Sequence, residues 1–328
     1  MFDSFLKIMG DYGNPVPRYT GPRCLVERMS VGGCDVCATV CPHDAITVDG
    51  KVEIDERKCT SCGLCVQSCP TGALEFDVTA NLTAIRTQEE DAKLVCSRTS
   101  EGGKTVPCLA RVTASVIVAA GAWDKPLELV HGDCATCDLG SDLVPVKLAE
   151  VVDAAQSLRE ATGRLANVTI RRGVEGGAEN RGERVTRRGM FGTLLRSAAG
   201  VAKDLVPDKP LPFVDWSAPE ERVPADWLWR RRALKPTPAQ DVQVRWKAPL
   251  VDASCIFCPV CSNVCPTEAI TRTIEADGSV ALHLQLEACT GCGGCASSCP
   301  PQAIELSDDW REEHFAAPVL LRASDGPP

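Results

Sequence analysis

CTSCGLCVQSCPTGAL, residues 59–74, places four cysteines within eleven positions and a proline directly after the last. Three further stretches follow it closely: CDVCATVCPHDAI (34–46), CIFCPVCSNVCPTEAI (255–270) and CTGCGGCASSCPPQAI (289–304). Each closes on Cys-Pro, two residues, Ala, then Ile or Leu. Runs so rich in thiols are either covalent staples or metal ligands. The chain has 328 residues, of which 20 are cysteine and four histidine. In a short secreted protein that count would imply disulfides. This chain is long, and its start, MFDSFLKIMGDYGNPVPRY, lacks the apolar core and small-residue cleavage site of a secretory leader. A cytoplasmic, reducing setting is expected, where clustered cysteines hold metal more often than one another. The formal charge of −9 argues against a nucleic-acid partner. The longest nearly apolar run, VTASVIVAAGAW (112–123), is too short to cross a bilayer, so membrane contact is expected only through partners.

The repeats come in pairs. ITVDGKVEI (46–54) and TIEADGSVALHL (273–284) alternate apolar and polar residues around Asp-Gly, the signal of a tight antiparallel hairpin. Between the pairs, KLVCS (93–97), TVPCL (105–109), LELVH (127–131) and NVTIR (167–171) read as strands. RVTASVIVAAG (111–121) and VPVKLAEVVDAAQSLREATG (144–163) read as helices, which alternate with the strands as in a small parallel sheet. Residues 172–250 are rich in Gly, Pro, Arg and Trp and read as a long connecting arm with one amphipathic piece at 190–206. The expected fold class is α+β, with two ferredoxin-like domains flanking a small α/β domain. The expected boundaries are 1–78, 79–172 for the α/β domain, 173–249 for the linker or docking arm, and 250–328.

The spacing Cys-x2-Cys-x2-Cys lets one tight loop supply three soft anionic ligands, and the fourth cysteine, before proline, points elsewhere. Zinc knuckles use paired Cys-x2-Cys and need no third cysteine two residues on. The motifs resemble those of bacterial two-cluster [4Fe–4S] ferredoxins. That resemblance implies that each fourth cysteine serves the neighbouring cluster. Cys255, Cys258, Cys261 and Cys299 would hold one cluster, and Cys289, Cys292, Cys295 and Cys265 another. In the first pair Cys59, Cys62 and Cys65 join Cys41. The remaining set has Cys34, Cys37 and Cys69, but Val31 stands where the family places the first ligand. Cys24 is the nearest candidate, with the loop stretched by seven residues and Gly32-Gly33 available for a tight turn. The departure leaves open a three-iron cluster without Cys24 or a site of altered potential, and the alternative for Cys24 is an ordinary buried thiol.

Four cysteines remain: Cys96, Cys108, Cys134 and Cys137. All fall at the ends of expected strands, where open α/β sheets place their ligands. They form a candidate fifth metal site for [4Fe–4S], [2Fe–2S] or zinc; the alternative is four unrelated core thiols. The layout resembles the small iron–sulfur subunit that links hydrogenases to heterodisulfide reductases. His131, three residues before Cys134, is either a donor to that site or a surface histidine.

TRRGMF (186–191) has a twin-arginine flavour, yet it lies mid-chain and Arg196 and Lys203 interrupt any apolar stretch, so export through it is not expected. Phe213, Trp216, Trp227 and Trp229, among arginines, either dock a partner or tuck the arm back onto the chain. No phosphate loop, nucleophile elbow or paired-acid motif appears, so no catalytic residue is assigned. The expectation is a non-catalytic iron–sulfur subunit relaying single electrons through four [4Fe–4S] clusters and a fifth centre. The order of modules resembles iron–sulfur subunits that accompany formate dehydrogenases or hydrogenase-type complexes, which implies redox-protein partners in a larger oxidoreductase. The alternatives are a catalytic or bifurcating middle domain, and an iron–sulfur assembly or sensor protein.

Overall fold

Proline after the fourth cysteine of each repeat shapes the N-terminal third of the chain. The computed structural model describes residues 16–29, 33–88, 91–160, 166–174, 222–234, 242–324 and 326. Strand β1 (Arg18–Tyr19) leads through a 3-10 turn to Cys24 and helix α1 (Leu25–Arg28). The first repeat supplies α2 (Val36–Thr39), then the hairpin of β2 (Ile46–Val48) and β3 (Val52–Ile54). Gly50 closes that hairpin at φ +65°, a backbone conformation glycine adopts without a Cβ penalty. The second repeat forms α3 (Leu64–Ser68) and stops at Cys69, which Pro70 forces into extended backbone at φ −68°, ψ 115°. The chain then returns as β4 (Leu74–Glu75), antiparallel to β1.

The expected middle strands and helices form, with shifts of a few residues at their ends. Helix α4 (Thr79–Thr87) leads into β5 (Ala92–Cys96), followed by β6 (Lys104–Val106), β7 (Leu127–His131) and β8 (Val168–Arg172). They build a wholly parallel four-stranded sheet in the order β6-β5-β7-β8. Helix α5 (Ala114–Ala122) starts later than the pattern suggests, because a 3-10 turn at Leu109–Arg111 intervenes. It is buried from Ala114 to Gly121, as its uniformly apolar sequence requires. Helix α6 (Leu143–Glu160) is amphipathic and buries Val144, Leu148, Val152, Ala155 and Arg159 at helical spacing. The buried Arg159 guanidinium donates to the carbonyls of Val118 (3.2 Å) and Ala233 (3.1 Å).

The stretch read as a linker contains regular structure at its described residues. Helix α7 (Ala225–Leu234) buries Trp227 and Leu234, and β9 (Gln243–Val251) begins within the same stretch. Asp226 accepts a hydrogen bond from the Ser115 backbone N–H at the start of α5 (3.2 Å) and pairs with Arg230. Burial alone would raise the Asp226 carboxyl, but Arg230 and the Ser115 and Thr113 hydroxyls hold it below the usual range. Composition hid this helix: its buried residues include Asp226, Trp227 and Arg231, and the two charged ones find partners in Arg230 and Glu312. The piece at 190–206, the TRRGMF motif, Phe213 and Trp216 lie outside the described residues.

The second repeat pair supplies α8 (Val260–Val264), β10 (Ile270–Ile274), β11 (Val280–Leu284), α9 (Gly294–Ser297), β12 (Ile304–Arg311) and β13 (Val319–Ala323). Strand β9 pairs with β12, and β11 carries β10 and β13 on its two edges. Gly278, at φ +84°, closes the second Asp-Gly hairpin. The molecule is thus a mixed α/β protein in which two small cysteine-rich regions accompany one parallel sheet.

Candidate functional site

Repeated backbone strain marks the cysteine loops. The residue before the second cysteine is left-handed in three repeats: Ser61 at φ +61°, Phe257 at +55° and Gly291 at +69°. The residue three places after the fourth cysteine is left-handed in all four, with Asp44 at +47°, Gly72 at +61°, Glu268 at +53° and Gln302 at +54°. Non-glycine residues avoid this region, so such recurrence points to a loop that must curl tightly around something. The curl turns backbone N–H groups toward sulfur. Ala45 donates to Cys41 Sγ (3.4 Å), Ala303 to Cys299 Sγ (3.3 Å) and Phe257 to Cys255 Sγ (3.4 Å). The recurrent alanine of Cys-Pro-x-x-Ala is buried in every repeat, at Ala45, Ala73, Ala269 and Ala303.

The thiols line four clefts of similar size. Cys24, Cys34, Cys37 and Cys69 line one, floored by Leu25, Val36, Val52 and Leu74. Cys41, Cys59, Cys62 and Cys65 line the second, against Ile46, Ile54 and Phe76. Cys255, Cys258, Cys261 and Cys299 line the third, with Val260, Leu282 and Ile304. Cys265, Cys289, Cys292 and Cys295 line the fourth, with Ile270 and Leu306. Among the described residues no three His, Cys, Asp or Glu side chains gather tightly enough around a point to hold a single metal ion. The thiols instead stand around apolar hollows, a donor set that fits a polynuclear iron–sulfide cluster bringing its own volume.

The electrostatics of the bare thiols are unfavourable to charge. Burial, then the neighbouring thiolates of Cys69, Cys34 and Cys24, push Cys37 up to about 11. Burial with Cys258, Cys255 and Cys299 raises Cys261 to about 11, and burial with Cys292 and Cys265 raises Cys295 to about 12. Cys65 and Cys289 are raised further by the same causes. Four adjacent thiolates need a cationic partner, and a bound cation reverses the sign of these shifts.

The last four cysteines stand beyond the C-terminal ends of the strands of the parallel sheet. Cys96 ends β5, Cys108 follows β6, and Cys134 opens a 3-10 turn just beyond β7. Burial, then Cys96, Cys62 and Cys134, raises Cys108 to about 12. Burial, then Cys96 and Cys137, raises Cys134 to about 11. Leu139 N–H donates to Cys137 Sγ (3.4 Å). His131 Nδ1 lies 2.8 Å from the Gly132 carbonyl and 3.9 Å from Cys134 Sγ, so the ring borders this group of thiols.

Neighbouring thiol groups lie within electrostatic reach of one another. Cys108 feels the charge of Cys62, Cys65 that of Cys37, and Cys295 that of Cys261. The Leu139 carbonyl accepts from Thr60 Oγ1 (2.6 Å) and His43 Nε2 (3.1 Å), which joins the fifth group to the second cleft. Between the two cysteine-rich regions, Leu25 packs over Gly294, where an added Cβ would lie 2.9 Å from Leu25 Cδ2. Arg28 Nη1 donates to the Asn263 carbonyl (3.3 Å) and pairs with Glu268 (3.6 Å).

These loops define a class: the chain carries two 4Fe-4S dicluster domains, matched by that family model at residues 32–73 and 254–303. Its curated relatives match over short stretches. Formate hydrogenlyase subunit 2 of Escherichia coli (strain K12) is 58% identical over 41 residues, 12% of this chain and 20% of that protein. One component of the Na(+)-translocating ferredoxin:NAD(+) oxidoreductase complex of Acetobacterium woodii is 37% identical over 71 residues, 20% of this chain and 21% of that one. The formate dehydrogenase iron-sulfur subunit of Wolinella succinogenes is 50% identical over 42 residues, 12% and 21% of the two chains. The chain spans about a fifth of the length of these relatives. No helix among the described residues is long and apolar enough to cross a membrane.

Proposed function

We propose that this chain is a cytoplasmic electron-transfer subunit that relays single electrons along a row of five centres. The ligand sets are Cys24/Cys34/Cys37/Cys69, Cys41/Cys59/Cys62/Cys65, Cys255/Cys258/Cys261/Cys299 and Cys265/Cys289/Cys292/Cys295 for four [4Fe–4S] clusters. Cys96, Cys108, Cys134 and Cys137 hold the fifth centre. The observation that carries this reading is the grouping of sixteen thiols, four to a cleft, around four apolar hollows. When bound, such a cluster accepts and returns one electron.

The chain's part is to hold and tune. Its thiolates fix each centre, N–H groups from Ala45, Phe257 and Ala303 bond to ligand sulfurs, and apolar floors keep water away. The neighbour relations support one order: fifth group, Cys41 set, Cys24 set, Cys265 set, Cys255 set. The Cys24 and Cys265 sets come closest where Leu25 covers Gly294. The names of the relatives support a place in a formate- or hydrogen-linked oxidoreductase complex.

Iron and acid-labile sulfide analysis with EPR on anaerobically purified protein tests this. About sixteen irons mean four cubanes, and about twenty a fifth. Zinc with little iron would overturn the reading. So would formate- or hydrogen-dependent dye reduction by the isolated chain, because that would require catalysis of its own.

A further inference from the structure

The 3-10 turn Leu109–Arg111 starts directly after Cys108 and carries Arg111 into the seam between the fifth thiol group and the Cys41/Cys59/Cys62/Cys65 cleft. Arg111 Nε donates to the Ser61 carbonyl (2.8 Å), directly before Cys62 in the loop from Cys59. Its guanidinium carbon lies 3.9 Å from the centre of the Phe76 ring, which itself lines that cleft. The backbones are pressed together here, since a Cβ on Gly63 would come within 2.9 Å of both the Ala110 carbonyl oxygen and Arg111 Cγ. Among the described residues no carboxylate pairs with Arg111, although the chain's other half-buried arginines commonly have one, as Arg171 and Arg231 do. Burial weakens its hold on the proton, while the thiolates of Cys108, Cys62 and Cys59 strengthen it. A guanidinium stays charged under such conditions.

We propose that Arg111 is a shared counter-cation for two neighbouring redox centres, the fifth one and that of the Cys41 set, and raises the reduction potential of both. A fixed positive charge stabilises the more negative, reduced form of a nearby centre. Net charge and hydrogen bonding are among the terms that set such potentials. Because the guanidinium is held in place by the Ser61 carbonyl and Phe76, its effect on the two centres is additive, and both midpoints rise whichever centre is reduced first. This proposal rests on the electron-transfer reading above. Arg111 is a positioning residue, and no thiolate is exchanged for it.

The test is an EPR-monitored redox titration of the full chain with dithionite as reductant, in wild type, Arg111→Leu, Arg111→Gln and Arg111→Lys. Loss of the charge in the Leu and Gln variants is expected to make two centres harder to reduce by about tenfold in equilibrium constant, ~59 mV for a one-electron couple. The Lys variant should retain most of the wild-type value. The two centres of the Cys255–Cys299 region should not move, and their signals report that each variant has folded. Gln keeps a donor for the Ser61 carbonyl, which separates the charge from the hydrogen bond. If Leu and Gln leave every midpoint unchanged, or shift all centres equally, the proposal falls and the relay reading stands. A wild-type chain with no reducible cluster signals overturns both.

Discussion

Alanine at Gly63 and at Gly293 should have unequal effects, although the two positions are equivalent in their repeats. Both glycines are left-handed, at φ +99° and +79° with ψ near zero. Placing an L-residue there costs roughly 1–2 kcal/mol in backbone strain alone. At Gly293 the new methyl would meet only Leu306 Cδ1 at 3.5 Å, an ordinary contact. At Gly63 it would lie 2.9 Å from the Ala110 carbonyl oxygen and 3.1 Å from its carbon, and backbone cannot swing aside. Overpacking of this kind adds roughly 1–3 kcal/mol. Gly293→Ala should therefore lose about 1–2 kcal/mol and Gly63→Ala about 2–5. Cluster proteins unfold irreversibly, so the measured quantity is a rate. In denaturant under anaerobic conditions, Gly63→Ala should lose its visible absorbance roughly five- to a hundredfold faster than Gly293→Ala. Equal rates would refute the claim that the seam at Ala110 is tightly packed.

Three further outcomes are expected. Cys24→Ser should lower the iron content and alter only N-terminal EPR signals; an unchanged spectrum would remove Cys24 from its ligand set. Glu101→Gln tests the sheet edge, where hydrogen bonds from Arg171 and Lys93 lower the carboxyl from 4.5 to about 2. Its contribution is present above the ordinary glutamate value and disappears as pH falls through the lowered one, so excess hydrogen exchange across Val168–Arg172 in the variant should be largest at neutral pH and shrink below about 4.5. Arg231→Ala removes a guanidinium held by both Glu312 oxygens (2.9 and 2.6 Å) and stacked 4.0 Å from the Phe315 ring. Losing this two-point ion pair and the ring contact together should cost about 3 kcal/mol, read as a lower bleaching temperature.

Much of the architecture was legible because short-range chemistry dictates it. Asp-Gly announced both hairpins, Cys-Pro ended each helical turn, and the apolar alternation of 92–131 gave a parallel sheet. The positions of Cys96, Cys108 and Cys134 followed from strand order alone. What stayed hidden depends on partners distant in sequence. Helix α7 looks polar until Asp226 meets Ser115 and Arg231 meets Glu312. The pairing of β9 with β12 spans some sixty residues, so its strand was absorbed into the linker. Arg111 carried no motif, and only the contact with Ser61 fifty residues away distinguishes it. The left-handed residues Asp44, Glu268 and Gln302 were invisible because nothing but Gly72 bears the residue type that advertises such a backbone.

Gly72 also shows why that copy differs. A Cβ there would lie 2.6 Å from Pro224 Cγ, under the start of α7, while Trp227 closes the other side. The seven positions that separate Cys24 from Val31, where regular spacing would put a cysteine, have a comparable imprint. Cys24 caps α1, and α1 carries Leu25 onto Gly294 and Arg28 onto Asn263 and Glu268. The insertion that spoils the N-terminal motif is thus the same segment that seats one duplicated region against the other. A tandem duplication that kept the regular spacing would have two good ferredoxin modules and no coupling pin between them. The irregular spacing in the first copy therefore comes with a contact to the second cysteine-rich region that a regular spacing would not supply.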